Sequence, residues 1–428
     1  MTELEIKWPD DMAEQVRVAI GRIVVAGEAV RAMSLSERLR IVRLVLTDWT
    51  EPDSPWRREL IGSFSEESPF HEKTVREGLD SALRAWKPEA LIECAMRELA
   101  PILDSKSLDL SPFAWTVVLA GGGLPMPTLL SGLLPLILGS PVLLREASGD
   151  GVTAGILKRS LAARSEVMAR AFERISFASE DAAFGALLDA PCVVATGSDE
   201  TIRSISSRLR PTQRFVAYGH QFSIGIIGPT ALREEDTGRR TVEAFALDIA
   251  RWDQTGCLSP VVLYLVGLDA STNALLADFL SQALENLHER LPRGKLTTGV
   301  CASHANEIAE ARMRQANGVS KLCEGSDSVV VLESDATPRP APLHRFIRLM
   351  PVASLESLDE SLAPFVGHLS NVAEIGFSQD ERRTLHELLS RLGVSRITQP
   401  GKLQTPPIDW PHDGMPLLTP MMRFVQSD

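Results

Sequence analysis

The chain has 428 residues, 44% of them hydrophobic and 23% charged, a balance that excludes a disordered chain and calls for two large lobes rather than one ordinary core. The formal net charge is -12, so neither a nucleic-acid backbone nor an anionic membrane surface is expected as a partner. The five cysteines form no C-x-x-C pair and lie near no histidine pair at zinc spacing, which points to reduced thiols in a cytoplasmic chain with no metal and no disulfide framework.

The opening MTELEIKWPDD is charged from its third residue and has no apolar segment, so no secretory signal is expected. Up to about residue 105 the spacing of apolar residues predicts helices, in runs such as MAEQVRVAIGRIVVAGEAVRAM and KTVREGLDSALRAW. Ser111 to Leu144 carries no charge and is long enough to span a bilayer. Its three consecutive glycines and five prolines break it instead into strand, glycine loop, helix and strand.

From residue 113 strands and helices alternate. TVVLA, PVLLR, RISFA, CVVAT and RFVAY read as strands, and PTLLSGLLPLILG, GVTAGILKRSLAAR, EDAAFGALLDA and DETIRSISSRL as helices. That alternation predicts an α/β fold with a mostly parallel sheet covered on both faces. A second alternating block follows, with Val242, Phe245, Ala246 and Ile249 on one helix face, Asp236 or Thr237 as its cap, and VVLYLV as a strand. The lobe boundary is expected near Gly228–Pro229. The predicted domains are residues 1–229 (N-terminal helices and a dinucleotide-binding domain), a catalytic domain over 230–410 and a proline-rich C-terminal arm over 411–428.

Several loops offer chemistry. Gly121, Gly122 and Gly123 follow a strand without a G-x-G-x-x-G fingerprint; they suit either a cofactor or tight strand-to-helix packing. Gly197 and Ser198 open a helix after a strand, where backbone N–H groups favour an anion, although an ordinary capped helix explains the pair as well. Arg145 ends a strand, where a guanidinium binds phosphate or simply faces solvent. Cys257 in WDQTGCLSP is a nucleophile or a buried structural cysteine, and spacing alone favours the second. His220 and His412 are possible acid–base groups, or structural and surface histidines.

Taken in order, AGGGLPMP, LLPLILGSPVLLREAS, VVATGSDETI, RFVAYGHQFSIGIIG, WDQTGCLSP and WPHDG resemble the LuxC-type acyl-CoA reductases of the aldehyde dehydrogenase superfamily, from about residue 70 to the end of the chain. The resemblance implies a nicotinamide-binding Rossmann-like lobe, an α/β catalytic lobe and a small oligomerisation arm, hence a homo-oligomer. It implies Cys257 as the nucleophile that receives an acyl group from CoA or an acyl carrier protein. Gly197 and Ser198 stand in its cofactor-phosphate loop. Arg145 stands where the superfamily places a lysine on the adenosine ribose; an arginine suits a 2′-phosphate, so NADPH is the expected cofactor.

In aldehyde dehydrogenases the stretch matching AYGHQFS carries a glutamate that activates water, and here Tyr218, Gly219 and His220 occupy it. That absence suits hydride rather than water attacking the acyl-cysteine. The superfamily's oxyanion asparagine corresponds to Gly123, and its ribose-binding glutamate is missing from HRFIRLMPV. The alternatives are a non-reducing acyl-holding partner of a biosynthetic complex, or an aldehyde dehydrogenase working oxidatively.

Overall fold

The computed structural model describes residues 11–105, 108–178, 181–231 and 235–426; the charged opening over residues 1–10 and the start of the EDAAFGALLDA run at Glu180 lie outside them. Its first helices begin where a short polar side chain satisfies a free N–H. Asp11 accepts from Glu14 ahead of α1 (Met12–Ala32). Ser34 accepts from Glu37 ahead of α2 (Leu35–Thr50), and Ser54 from Arg57 ahead of α3 (Pro55–Glu67). The helices α4 (Glu72–Ala85) and α5 (Pro88–Leu103) follow.

Next in chain order are β1 (Leu108–Ser111), β2 (Thr116–Leu119), α6 (Pro125–Leu138), β3 (Val142–Arg145), α7 (Thr153–Arg164), α8 (Glu166–Arg170), β4 (Phe172–Ile175), α9 (Phe184–Leu187), β5 (Cys192–Thr196), α10 (Asp199–Ser206) and β6 (Arg214–Tyr218). The second block holds β7 (Phe222–Ile227), α11 (Glu235–Ala250), β8 (Pro260–Val266), α12 (Ala270–Leu287), α13 (Thr298–Ala316), β9 (Ser320–Glu324), β10 (Val329–Glu333) and β11 (Phe346–Val352). It ends with α14 (Leu355–Leu362), β12 (Leu369–Ile375), α15 (Gln379–Arg391), β13 (Arg396–Thr398) and, at the end of the described chain, β14 (Arg423–Gln426).

The elements divide into two units, Met1–Ser68 with Trp86–Gly219 and Met415–Asp428, and Pro69–Ala85 with His220–Gly414. The first holds a five-stranded sheet in the order β4-β3-β2-β5-β6, parallel throughout. In order of appearance this is 3-2-1-4-5, the doubly wound arrangement, and its direction of growth reverses between β2 and β5. Val117, Leu119, Leu143 and Val193 pack one face against Val16, Ala19 and Ile23 of α1. The uncharged stretch is split among β2, α6 and β3 as expected, and no helix among the described residues is long and apolar enough to cross a membrane. The RISFA strand sits earlier than its apolar run suggests, at Phe172–Ile175, because Phe172 and Ile175 bury themselves in register with Val142 and Arg145 of β3. In the same unit β14 pairs antiparallel with β1, Leu108 opposite Gln426, as a two-stranded ribbon.

The second unit is built on a seven-stranded sheet in the order β13-β12-β7-β8-β11-β10-β9. Its neighbours are parallel except for the antiparallel pair β9 and β10. The apolar face of α11, Val242, Phe245, Ala246 and Ile249, packs with α12 on Leu263, Leu265, Ile347 and Leu349. On the other side Leu358 of α14 and Leu385 of α15 cover Ile224, Tyr264 and Met350. Gly225 lets α11 lie close, since a Cβ there would stand 2.4 Å from Leu263 and 2.5 Å from Phe245. Because α11 begins at Glu235, Asp236 and Thr237 fall inside its first turn rather than capping it.

The division between units falls at Gly219 and His220, ahead of the expected Gly228–Pro229. The reason is β7, which pairs with β8 and β12 and so belongs wholly to the second sheet. The contacts also place α4 in the second unit and the chain from Met415 in the first, so the expected arm over 411–428 is divided at Gly414.

Candidate active site

Cys257 lies in a turn that enters β8. Between α11 and that turn, Trp252, Asp253 and Gln254 are all left-handed, with φ of 52°, 48° and 63°, a conformation that costs about 1–3 kcal/mol per non-glycine residue and persists only when its surroundings over-determine it. Here they do. The Trp252 ring packs over Gly78 of α4, where a Cβ would come within 2.3 Å of it. The Asp253 carboxylate accepts from Arg345 Nε at 3.0 Å and Nη2 at 2.6 Å, and from the Gly294 N–H at 2.9 Å. Gln254 Nε2 donates to the Pro260 carbonyl at 2.9 Å. Arg345 ends a second left-handed run, Leu343 to Arg345, and also binds Asp327 at 2.8 Å. The two strained turns are thus locked together through one buried guanidinium, and the Cys257 loop springs from a rigid base.

The Cys257 side chain is exposed, yet protein atoms surround it closely enough to push its thiol up to about 11. Poor hydration of the thiolate is the main cause and the Asp413 carboxylate the second; the N–H groups of Cys257 and Leu258 face the sulfur and act the other way. Such a thiol reaches reagents but stays protonated near neutral pH. Asp413 is a left-handed residue (φ 53°) whose carboxyl burial raises, and it lies 3.4 Å from the His412 imidazole, which burial lowers. The His412 ring also packs at a tilt against Trp410, the ring centroids 4.9 Å apart. Removing the negative charge by Asp413→Asn is expected to lower the Cys257 pKa, so that iodoacetamide alkylation of Cys257, followed against pH, moves to lower pH; an unchanged profile contradicts the assigned cause.

His220 reaches the same edge of the sheet. Ser223 is in register with Pro260 across the parallel pair β7 and β8, so His220 and Cys257 each stand three residues ahead of paired positions. His220 is exposed, its ring is 6.5 Å from that of Phe222, and its carbonyl accepts from His368 Nδ1 at 3.0 Å just before β12. The site lies at the amino ends of these strands. Asp413, Arg345, Asp253 and Ser223 carry no mark of their own in the sequence. Asp413 adjoins the noted His412 and Asp253 lies inside the noted WDQTGCLSP, whereas nothing in HRFIRLMPV signals that Arg345 closes a clamp.

In the first unit the two noted loops meet. A Cβ on Gly121 would stand 2.1 Å from the Thr196 carbonyl oxygen, so the glycine loop after β2 packs directly on the loop after β5, at the switch point where α/β sheets bind nucleotides. Gly122 has φ 79° with open space at its Cβ position. The N-terminus of α6 beyond it has no side-chain cap, but Pro125 and Pro127 carry no N–H, so its first turn offers an anion few donors. Gly197 donates to the Tyr218 carbonyl at 3.1 Å, and Ser198 caps α10 by accepting from Thr201 at 3.2 Å. Arg145 donates to the Phe177 carbonyl at 2.8 Å and lies 5.8 Å and 5.9 Å from the Phe177 and Phe184 ring centroids. These loops lie at the position of the sheet where doubly wound folds take a dinucleotide. Gly121→Ala is expected to weaken NADPH binding about tenfold or more through a clash of about 1–3 kcal/mol with fixed backbone, read by cofactor fluorescence titration. Gly123→Ala, whose Cβ would meet Gly149 at an ordinary 3.7 Å, is expected to weaken binding less than Gly121→Ala.

A doubly wound unit and a second α/β unit with a cysteine at its sheet edge, in one chain, are the parts of the aldehyde dehydrogenase fold. Aldehyde dehydrogenase 21 from Physcomitrella patens, in complex with the reaction product succinate, is similar over 99% of this chain and 95% of its own, with a TM-score of 0.72 and 14% identity. The glyceraldehyde-3-phosphate dehydrogenase GapN from Methanocaldococcus jannaschii, complexed with NADP, is similar over 99% and 95%, with a TM-score of 0.71 and 12% identity. An E. coli NADP dependent enzyme covers 91% of this chain and 82% of its own, with a TM-score of 0.70 and 17% identity. No curated protein matches the sequence. The chain belongs to the LuxC acyl-CoA reductase family, described as acyl-CoA reductase (LuxC), which matches residues 30–424. It is therefore an oxidoreductase of that family.

Proposed function

We propose that this protein reduces an acyl thioester, carried on CoA or on an acyl carrier protein, to an aldehyde through an acyl-Cys257 intermediate. The observation that carries the proposal is the accessible Cys257 thiol with two backbone N–H groups facing its sulfur. As the thioester carbonyl is attacked, the thiol loses its proton. The Asp413 carboxylate, paired with His412, acts electrostatically on that thiol and is the proposed acceptor. The new C–S bond forms, the oxygen takes the negative charge, and collapse expels the carrier thiolate, which leaves with the proton.

NADPH, when bound, supplies the hydride that the acyl carbon receives. The N–H groups of Cys257 and Leu258 again face the developing oxyanion, and the C–S bond then breaks to give aldehyde and the cysteine thiolate. The Gly121–Gly123 loop, Gly197 and Ser198 hold the cofactor in this reading, with Arg145 at its ribose end and His220 beside Cys257 as a further proton-transfer group. The NADP named for two of the similar structures supports that cofactor. The same reading places the enzyme in the cytoplasm and makes the β1–β14 ribbon, with Phe424 and Val425 about half exposed, its oligomerisation arm.

Gly123, which carries no side-chain donor, favours a second reading as an acyl holder that does not reduce. Following NADPH absorbance with a panel of acyl-CoA and acyl-carrier thioesters separates the two. Thioester-dependent oxidation supports the reductase; acylation of Cys257 without oxidation supports the holder.

A further inference from the structure

The Cys257–Leu258 peptide is gripped from behind. Ser223 Oγ donates to the Cys257 carbonyl at 2.7 Å, across 34 residues of sequence. Ser223 is fully buried, and its oxygen accepts from the Asn371 N–H at 3.3 Å, leaving its proton directed at that carbonyl. The serine is itself held at the start of β7, between β8 and β12. A trans peptide is planar, with its C=O and N–H pointing opposite ways. Holding the Cys257 carbonyl therefore fixes where the Leu258 N–H points, and it points at the sulfur. The Ser259 N–H donates to the Gly256 carbonyl at 2.9 Å and closes the turn around this peptide. Among the described residues neither the Cys257 nor the Leu258 N–H is bonded to a backbone carbonyl.

We infer that Ser223 is a positioning residue of the Cys257 centre, locking the 257–258 peptide so that the Leu258 N–H, together with that of Cys257, forms the donor pair for the thiolate and for the oxyanion. The inference rests on the proposed function for its catalytic half. A carbonyl bonded to the sulfur brings its oxygen within reach of groups that already face that atom. Asp413 is the charged group that acts on the same thiol from the chain after β13, and it opposes the donors.

The test measures two quantities on the full-length protein for the parent, Ser223→Ala, Ser223→Cys and Ser223→Thr. One is peptide-resolved alkylation of Cys257 by iodoacetamide against pH; the other is thioester-dependent NADPH oxidation. Ser223→Ala is expected to move alkylation to higher pH, about tenfold slower at about pH 8 for a rise of about one unit. Its kcat is expected to fall about 10²–10³-fold, the scale of one lost oxyanion donor, with KM little changed. Ser223→Thr, which keeps the hydroxyl, should restore both. If Ser223→Ala does not fold, Ser223→Cys, with a weak S–H donor of similar size, carries the same comparison. A folded variant lacking the hydroxyl with parental alkylation and kcat overturns the inference. A parent that oxidises no NADPH with any thioester sinks the reductase reading alone, because the alkylation shift still decides the role of Ser223.

Discussion

Replacing Cys257 by alanine is expected to abolish thioester-dependent NADPH oxidation, with a loss on the order of 10⁶ in kcat, the scale on which removal of a covalent nucleophile is felt. The melting temperature should stay within about 1–2 °C of the parent, because exposed side chains outside any network contribute within about 0.5 kcal/mol. The two readouts belong together. The thiol is exposed, and the groups that act on it are the backbone N–H groups of its own turn and the Asp413 carboxylate, so truncation removes chemistry without removing packing. Cys257→Ser should be nearly as inactive, since a hydroxyl ionises far less readily than a thiol already held up at about 11. Substantial activity in the alanine variant would mean that hydride reaches the thioester directly and that no acyl-enzyme forms.

The second large effect is on stability. Arg345→Met is expected to cost about 3–5 kcal/mol, because it leaves Asp253 and Asp327 as buried charges without their common partner. Against a typical total of about 5–15 kcal/mol, the urea midpoint should drop sharply. The loss should lie at the upper end of that range, since the same guanidinium holds two left-handed runs together. Adding Asp253→Asn and Asp327→Asn to the variant should recover part of the loss, a non-additivity expected of residues in one network. Wild-type stability in Arg345→Met alone would show that the strained turns are held by packing on Trp252 and not by the charge.

Much of this architecture is legible in the sequence, and for identifiable reasons. Continuous apolar runs such as CVVAT and VVLYLV, separated by helical periods, can only be parallel strands buried on both faces, and both became strands close to their expected bounds. The face formed by Val242, Phe245, Ala246 and Ile249 is the core face of α11 because the 3.6-residue period leaves no other option. Local signals failed where tertiary contact decides. The division at Gly219 depends on which sheet β7 joins, which no window of sequence contains. EDAAFGALLDA yielded only the four residues of α9.

The site was legible as a set of loops and not as a geometry. Gly121 and Gly197 could be noted separately, but their meeting at the Thr196 carbonyl follows from strand order. WDQTGCLSP marked Cys257, yet three successive left-handed residues have no sequence signature beyond the tolerance of aspartate for that conformation. Ser223 reads as a small strand residue until β7 and β8 are in register. The reading of Ser198 as a cofactor contact and its reading as a helix cap also meet in one residue: the hydroxyl caps α10 at the loop where the resemblance places the cofactor phosphate.

The most direct test of the central claim is the mass of the Cys257 peptide after the protein is mixed with an acyl-CoA, first without and then with NADPH. An acyl adduct is expected to accumulate on Cys257 without cofactor, to disappear when NADPH is added and to be replaced by an equal amount of free aldehyde. Aldehyde formed with no adduct on Cys257 at any time, or an adduct that NADPH leaves untouched, would contradict it.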